Sequence, residues 1–231
     1  RGMYVTNVPD YCQDEVAEHT LALLLALARN VGWFHHQTKS GQYDLAGAPT
    51  MYRVAGKTLG LVGLGSIGRA VARRAVALGL KVLATRQRMV GEPPEGVTYR
   101  SLDGLLAQSD FVSLHVPLTD TTRHIIGRRE FSLMRSTAYL INTARGGLVD
   151  HAALAEALQE GRLAGAALDV QDPEPPDLSQ PPYNDPRVIV TPHAAFTSVE
   201  SLQTLRSRAA SAVAAVLTGR EPQNIVVRPK G

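Results

Sequence analysis

Residues 58–79 read Thr58-Leu59-Gly60-Leu61-Val62-Gly63-Leu64-Gly65-Ser66-Ile67-Gly68-Arg69-Ala70-Val71-Ala72-Arg73-Arg74-Ala75-Val76-Ala77-Leu78-Gly79. An unbroken apolar run over Thr58–Gly63 passes straight into a helical pattern over Ser66–Gly79. Continuous rather than alternating apolarity is what a strand covered on both faces requires. The turn between them carries glycine at Gly63, Gly65 and Gly68, the pattern G-x-G-x-x-G. A glycine-rich turn alone says little, but between a strand and a helix each glycine has a task. Gly63 permits the tight turn, Gly65 lets backbone approach a pyrophosphate, and Gly68 lets the helix pack on the strand. The helix start at Ser66 and Ile67 then offers free N–H groups and the positive end of the helix dipole to an anion. The alternative is a glycine-rich turn with no ligand.

Outward from this unit the same alternation continues. Strands are expected at Lys81–Arg86, Asp110–Val116, Ala138–Thr143, Ala164–Val170 and Val188–Thr191, with helices at Leu102–Gln108, Arg129–Met134 and Ala152–Gly161. Strand-helix repetition of this kind implies an α/β fold with a doubly wound parallel sheet of the Rossmann type. Upstream, Asp14–Asn30 reads as a helix apolar nearly all round its middle, buried in a core or between subunits. Gly41–Ala55 is a connecting loop. Downstream, Pro173–Pro186 is loop, and Ser198–Thr218 is a long helix with Leu202, Leu205, Ala209, Ala212, Val213 and Val216 at helical spacing. Gly219 closes it. Asn224–Gly231 is either a surface strand or an unstructured tail.

Composition narrows the function classes. The chain has 231 residues, a formal charge of +3 and 44% hydrophobic residues, an ordinary globular balance. Its basic residues are scattered and not interleaved with aromatics, which argues against a nucleic-acid partner. The greasiest stretch, Leu21–Ala28, is too short to cross a bilayer, and the opening Arg-Gly-Met-Tyr-Val-Thr lacks a leader pattern. Cys12 stands alone, so no intrachain disulfide forms and a reducing cytoplasm is expected. The histidines show no metal-ligand grouping, His35-His36 reads as surface, and no metal is expected. His115 reads as a packed core residue or as a pocket wall.

NAD-binding proteins of this type usually place an acid about 20 residues after the glycine turn, at the end of the next strand. Here that position reads Leu83-Ala84-Thr85-Arg86-Gln87-Arg88. An arginine pairs with a phosphate and removes the repulsion an Asp would exert. NADP is therefore expected over NAD, with Arg86 the main anchor and Arg88 or Thr85 assisting. The alternative is that both arginines are solvated surface residues.

Three segments fall at the carboxyl ends of strands, where open α/β sheets bind ligands. They are Asn142-Thr143-Ala144-Arg145-Gly146-Gly147-Leu148-Val149-Asp150, Ala167-Leu168-Asp169-Val170 leading to Pro173-Glu174-Pro175, and Thr191-Pro192-His193-Ala194-Ala195-Phe196. Together with Asn7-Val8-Pro9, Ala17-Glu18-His19-Thr20 and His115-Val116-Pro117-Leu118-Thr119, this set resembles the D-isomer-specific 2-hydroxyacid dehydrogenases over nearly the whole chain. Within that family it is similar to the C-terminal-binding-protein-like and phosphoglycerate-dehydrogenase-like branch, through Val8-Pro9-Asp10-Tyr11-Cys12 and the His193-Ala194-Ala195-Phe196 ending.

The resemblance implies an NAD(P)-dependent oxidoreductase of small 2-oxo acids. Arg145 would clamp the substrate carboxylate, His193 would exchange a proton with the 2-oxygen, and Glu174 would orient the imidazole. Asp169 would meet the nicotinamide amide. Val116, Pro117, Thr122, Thr143, Ala144 and Ala195, with Arg145 and His193, would line the cofactor trough. The resemblance also implies a homodimer and two domains. Residues 9–196 would bind the dinucleotide, while 1–8 and 197–231 would be the remnant of a flavodoxin-like substrate domain that normally covers the cleft. The sequence begins where that domain would be ending, which leaves the apolar face of Ser198–Thr218 uncovered. A second function fits the same residues: a nucleotide-binding dimeric scaffold or corepressor-like sensor without efficient turnover.

Overall fold

From the amino end, a two-residue strand β1 (Val5–Thr6) leads into helices α1 (Gln13–Ala28) and α2 (Val31–Lys39), then an irregular stretch to residue 57. The alternating region supplies β2 (Thr58–Val62), α3 (Ser66–Ala77), β3 (Lys81–Thr85), β4 (Val97–Tyr99), α4 (Leu102–Gln108) and β5 (Phe111–Leu114). It continues with α5 (Arg128–Leu133), β6 (Tyr139–Asn142), α6 (His151–Gln159), β7 (Gly165–Leu168) and β8 (Val188–Val190), before α7 (Val199–Leu217) and β9 (Ile225–Val227). These come from a computed structural model that describes residues 2–85 and 92–229. The anchors expected at Arg86 and Arg88 lie outside the described residues.

Seven parallel strands form one sheet in the order β4-β3-β2-β5-β6-β7-β8. The chain thus winds outward from β2 in one direction through β3, then returns to the other side of β2 at β5. At such a reversal the crossovers leave in opposite directions, and a crevice opens beyond the carboxyl ends of β2 and β5. Val62 is registered against both Thr85 and Leu114, so the three strand ends that border this crevice are level.

Both sheet faces are covered. On one, Leu105 and Leu106 of α4, Phe131 of α5, and Leu154 and Leu158 of α6 pack on Val112, Leu114, Leu140 and Leu168. On the other, Leu21, Leu24 and Leu27 of α1 and Val71 and Ala75 of α3 pack on Leu59, Leu61, Ile141 and Ala167. Each fully buried leucine contributes roughly 1.5–3 kcal/mol relative to exposure. The helix α1 therefore spends most of its apolar surface inside its own chain, which answers the question its sequence left open. Close packing also explains Gly60, where a Cβ would lie 2.4 Å from both Leu105 Cδ2 and Ser109 Oγ.

Helix α2 and strand β4 were not expected. Asn30 sits in the left-handed region at φ 51, which breaks the helical course and starts α2 in a new direction. No residue of α2 is buried, so it carries no amphipathic stripe to read. Strand β4 is three residues long, too short for a periodicity. The tail forms a strand: β9 pairs antiparallel with β1.

The chain divides into two compact units, residues 16–195 and residues 1–15 with 196–231. In the smaller unit Asp10 pairs with Arg208, Tyr11 meets Phe196 edge-on at 6.3 Å, and Ser198 Oγ donates to Glu15 Oε1 at 2.7 Å. These contacts gather residues 10–15 with α7. Ser198 and Ser201 cap α7 reciprocally, each hydroxyl accepting from the other's backbone N–H at 2.8 and 2.9 Å. Only Ser201 of α7 is buried, and Val199, Val213, Val216 and Leu217 are exposed.

Candidate active site

The glycine turn is built as its sequence requires. Gly63 has φ 101, and a Cβ there would lie 2.6 Å from the His115 carbonyl oxygen and 2.7 Å from Val116 Cγ1. A Cβ on Gly68 would lie 2.5 Å from the Gly63 oxygen, so helix and turn touch. Among the described residues a Cβ on Gly65 meets nothing within 4 Å at the helix start. Among the described residues no side chain caps α3, and Ser66 is exposed, with Ile67 beside it. Thr85, at the end of β3, accepts from the Gly63 N–H through Oγ1 at 3.2 Å and steadies the turn. Bare N–H groups, open space and a fixed glycine loop fit a diphosphate.

Across the crevice, His115 follows β5 with Nε2 2.9 Å from Ser113 Oγ. Burial pushes its pKa down to about 4, so the ring is neutral at physiological pH. It forms the floor of the glycine turn, which unites both readings of this residue. Val116 is half-buried beside it and Pro117 is exposed. Thr122 Oγ1 donates to the Pro117 oxygen at 2.6 Å and accepts from the Thr119 N–H at 2.8 Å, tying down the 117–122 turn.

At the end of β6, Asn142 organises the loop that presents Arg145. Its Nδ2 donates to the Arg145 oxygen at 2.9 Å and its Oδ1 accepts from the Ala144 N–H at 3.1 Å. Arg145 itself is exposed, with one guanidinium nitrogen donating to the Ala144 oxygen at 2.6 Å. Thr143 is buried beside it, its Oγ1 2.8 Å from Thr20 Oγ1.

The imidazole of His193 meets Glu174 at the ends of β7 and β8. Nδ1 lies 3.0 Å from Glu174 Oε2, while Glu174 Oε1 accepts from the Gln171 N–H at 2.9 Å. Burial acts to raise the Glu174 pKa, but the hydrogen bonds from His193 and Gln171 outweigh it and hold the carboxyl below its usual range. His193 has φ 54, uncommon for a residue with a Cβ. Its N–H donates to the Asp169 oxygen at 2.7 Å, and the next two N–H groups, of Ala194 and Ala195, donate to the Asp169 carboxylate at 2.9 Å each.

Asp169 is fully buried. Burial opposes its charge, yet donors from His19, Thr191, Ala195 and Ala194 overcome that and hold the pKa at about 2. Its oxygens are thus spent on the turn that carries His193, and the side chain supports the trough from behind. The structure gathers Arg145, Glu174, His193 and Asp169 along the carboxyl ends of β6, β7 and β8, beside the crevice bordered by the glycine turn.

Sequence reading gave no role to His19, Thr20 or Gln171. His19 Nε2 lies 3.1 Å from Thr191 Oγ1, and Gln171 Nε2 donates to the oxygens of Leu168 and Thr191 at 3.1 and 3.2 Å. The available signal was His19-Thr20 standing at the edge of the apolar run Leu21–Ala28. No helix among the described residues is long and apolar enough to cross a membrane, and no three His, Cys, Asp or Glu side chains group there as metal ligands.

The sheet order and the glycine turn define a dinucleotide-binding α/β protein. Comparison with known proteins narrows the class. Residues 21–195 match the family described as D-isomer specific 2-hydroxyacid dehydrogenase, NAD binding domain. A glyoxylate reductase of Korarchaeum cryptofilum is 43% identical over 244 residues, spanning 100% of this chain and 73% of its own. A D-lactate dehydrogenase of Lactobacillus jensenii, with NAD+, superposes with a TM-score of 0.85 at 34% identity over 98% of this chain and 72% of the other. An acyclic imino acid reductase in complex with NADPH and D-Arg superposes with a TM-score of 0.87 at 30% identity, covering 97% and 71%. The chain belongs to the D-isomer-specific 2-hydroxyacid dehydrogenase family, oxidoreductases that act on 2-oxo and 2-hydroxy acids with a nicotinamide coenzyme.

Proposed function

We propose that this protein reduces a small 2-oxo acid of the glyoxylate class, with Arg145, Glu174 and His193 as its catalytic residues. The observation that carries the reading is the 3.0 Å contact between His193 Nδ1 and Glu174 Oε2. A carboxylate on Nδ1 orients the ring plane and pairs with the imidazolium, the form that carries a second, transferable proton on Nε2. The exposed guanidinium of Arg145 grips the substrate carboxylate and polarises the adjacent carbonyl. As charge develops on that oxygen, His193 Nε2 delivers its proton, and in the reverse direction takes it back. Bound along the crevice, a nicotinamide dinucleotide supplies or accepts the hydride.

The coenzyme residues of this reading are Gly63, Gly65, Ser66, Ile67 and Gly68 for the diphosphate, Thr85, Arg86 and Arg88 for the adenosine end, and Val116, Pro117, Thr122, Thr143, Ala144 and Ala195 along the trough. Asp169 acts from behind it. NADP is the proposed form, because the end of β3 offers Thr85-Arg86-Gln87-Arg88 and no acid. The whole reading is tested by adding glyoxylate, hydroxypyruvate or pyruvate to the protein with NADPH and following nicotinamide absorbance. Turnover of a 2-oxo acid is expected; a folded chain with no affinity for either coenzyme would end the proposal. Arg86→Ala should raise the NADPH KM at least about tenfold and leave NADH use unchanged, as expected for loss of one charged phosphate contact.

A homodimer is part of the same proposal. Tyr43 is 91% and Leu45 76% exposed in the loop after α2, and no residue of α2 itself is buried. Apolar surface of this kind favours a partner. Sedimentation equilibrium should give twice the chain mass, and a monomer at micromolar concentration would refute it.

A further inference from the structure

We propose that His19 is a positioning residue for His193, acting through Thr191 and Asp169. This rests on the reading of His193 as the proton donor. Thr191 Oγ1 lies 2.5 Å from Asp169 Oδ1 and 3.1 Å from His19 Nε2. A hydroxyl has one proton, and a carboxylate only accepts. The Thr191 proton therefore goes to Asp169, and the contact with His19 exists only if His19 donates from Nε2. That assigns the tautomer: Nε2 carries hydrogen, with Thr191 Oγ1 as its acceptor and Asp169 Oδ1 at 3.5 Å behind it.

The carboxylate so approached is the anchor of the catalytic turn. Asp169 has no exposure to solvent, so its charge is offset from within the protein. Among the described residues its side-chain partners are His19 Nε2 at 3.5 Å and the Thr191 hydroxyl, and its backbone donors are the N–H groups of Ala194 and Ala195. Those two amides follow His193 directly, and they hold it in its left-handed conformation at φ 54. Such a conformation persists only when its surroundings over-determine it. His19 is the member of this set that comes from outside the strand-end loops. It reaches in from α1, 172 residues from Thr191, on a helix packed through Leu21 and Leu24.

The neighbouring residue repeats the logic. Thr20 Oγ1 donates to the Val16 oxygen at 2.7 Å, so Thr143 must donate to Thr20 across their 2.8 Å contact. One turn of α1 thus ties the ends of β6 and β8. His19 touches no reacting atom in this arrangement; it sets where His193 points.

Three variants separate donor geometry from bulk. In His19→Gln the amide nitrogen reaches the place of Nε2; in His19→Asn it falls where Nδ1 lies; His19→Leu fills the space without a donor. Asn and Leu should lower kcat for 2-oxo acid reduction about tenfold, the worth of one net hydrogen bond, with coenzyme KM unchanged, and Gln should restore it. Equal kcat in all variants, or equal loss in all three, overturns the proposal. Histidine 15N NMR of the full chain reads the same question without turnover. His19 should show the Nε2–H form, and the His193 ring proton bonded to Glu174 should shift in the Asn and Leu variants but not in Gln. An Nδ1–H form of His19, or a His193 signal unmoved in every variant, overturns it whatever the turnover. Absence of turnover with the expected NMR pattern would instead strike the proposed reaction and leave the positioning role standing.

Discussion

A Cβ placed on Gly146 would lie 2.0 Å from the carbonyl oxygen of Gln171. Gly146 follows Arg145 and Gln171 leads to Glu174, so this backbone approach sets the distance between the loop that carries Arg145 and the loop that carries Glu174. The obstruction is backbone and has no flexible end to move aside. Gly146→Ala should therefore destabilise the protein by about 1–3 kcal/mol or more, as overpacking of a tight site does, and lower kcat/KM with it. Gly65→Ala meets nothing among the described residues and should leave urea denaturation unchanged, while weakening coenzyme binding about tenfold by filling the space the proposed diphosphate needs. Denaturation and coenzyme titration of the pair separate a glycine kept for packing from one kept for a ligand.

His193 and Glu174, the proposed catalytic pair, should behave as a unit. His193→Gln removes the proton donor and should cost about 10²–10⁴ in kcat, the usual worth of general acid catalysis, with coenzyme affinity retained. Glu174→Gln keeps the side-chain volume but loses the carboxylate at Nδ1, and should fall short of that loss. The double variant should be no slower than His193→Gln alone, because a positioned donor and its orienter act through one proton transfer. Additive losses in steady-state kinetics would show that Glu174 acts independently of the imidazole.

How far the sequence reveals this site depends on whether a residue works through local backbone or through a distant partner. The strand-turn-helix around Gly63 is legible because strand, glycines and helix are contiguous, and the clash distances at Gly63 and Gly68 follow from the chain's own course. Arg145, Glu174 and His193 could be proposed because each follows a recognisable strand. The support behind them was not: His19 and Thr191 are 172 residues apart, and no local pattern announces a hydrogen bond across that span. The same limit applies to Asp169, whose hydrogen bonds to the Ala194 and Ala195 N–H groups leave no trace in its own segment. Helix α2 escaped because nothing in it is buried, so its side chains leave no periodic trace.

The amino end of α7 offers a test confined to the smaller unit. Ser198 both accepts from the Ser201 N–H at 2.8 Å and donates to Glu15 at 2.7 Å. Ser198→Ala removes the cap and leaves Glu15 without that donor. A loss of about 1 kcal/mol is expected, typical for an N-cap serine, with Ser198→Thr close to the parent. Thermal or urea denaturation checks it, and an unchanged midpoint in the alanine variant would show that α7 starts equally well without the cap.

Acid should destabilise the protein in two separable steps. His115 titrates at about 4 when folded, against 6.5 for an ordinary imidazole. As pH falls below 6.5 the unfolded chain takes up this proton first, so the stability gained by keeping the ring neutral is complete above pH 6.5 and lost between 6.5 and 4. That contribution is at most about 3 kcal/mol, less what the ring's partly exposed edge returns to solvent. Asp169 titrates at about 2 when folded, against 3.8 ordinarily. Its contribution, about 2 kcal/mol, is complete above pH 3.8 and lost as pH falls from 3.8 toward 2. Urea denaturation from pH 7.5 down to 2.5 should show both steps in the parent. His115→Gln should shrink the upper step and leave the lower one. Asp169→Asn should do the reverse and, with the Ala194 and Ala195 amides deprived of their carboxylate, start from a lower stability at neutral pH. Burial also lowers His151, so a smaller upper step should remain in His115→Gln; an upper step of undiminished size would mean that His115 has no share in it and that burial does not hold this ring neutral.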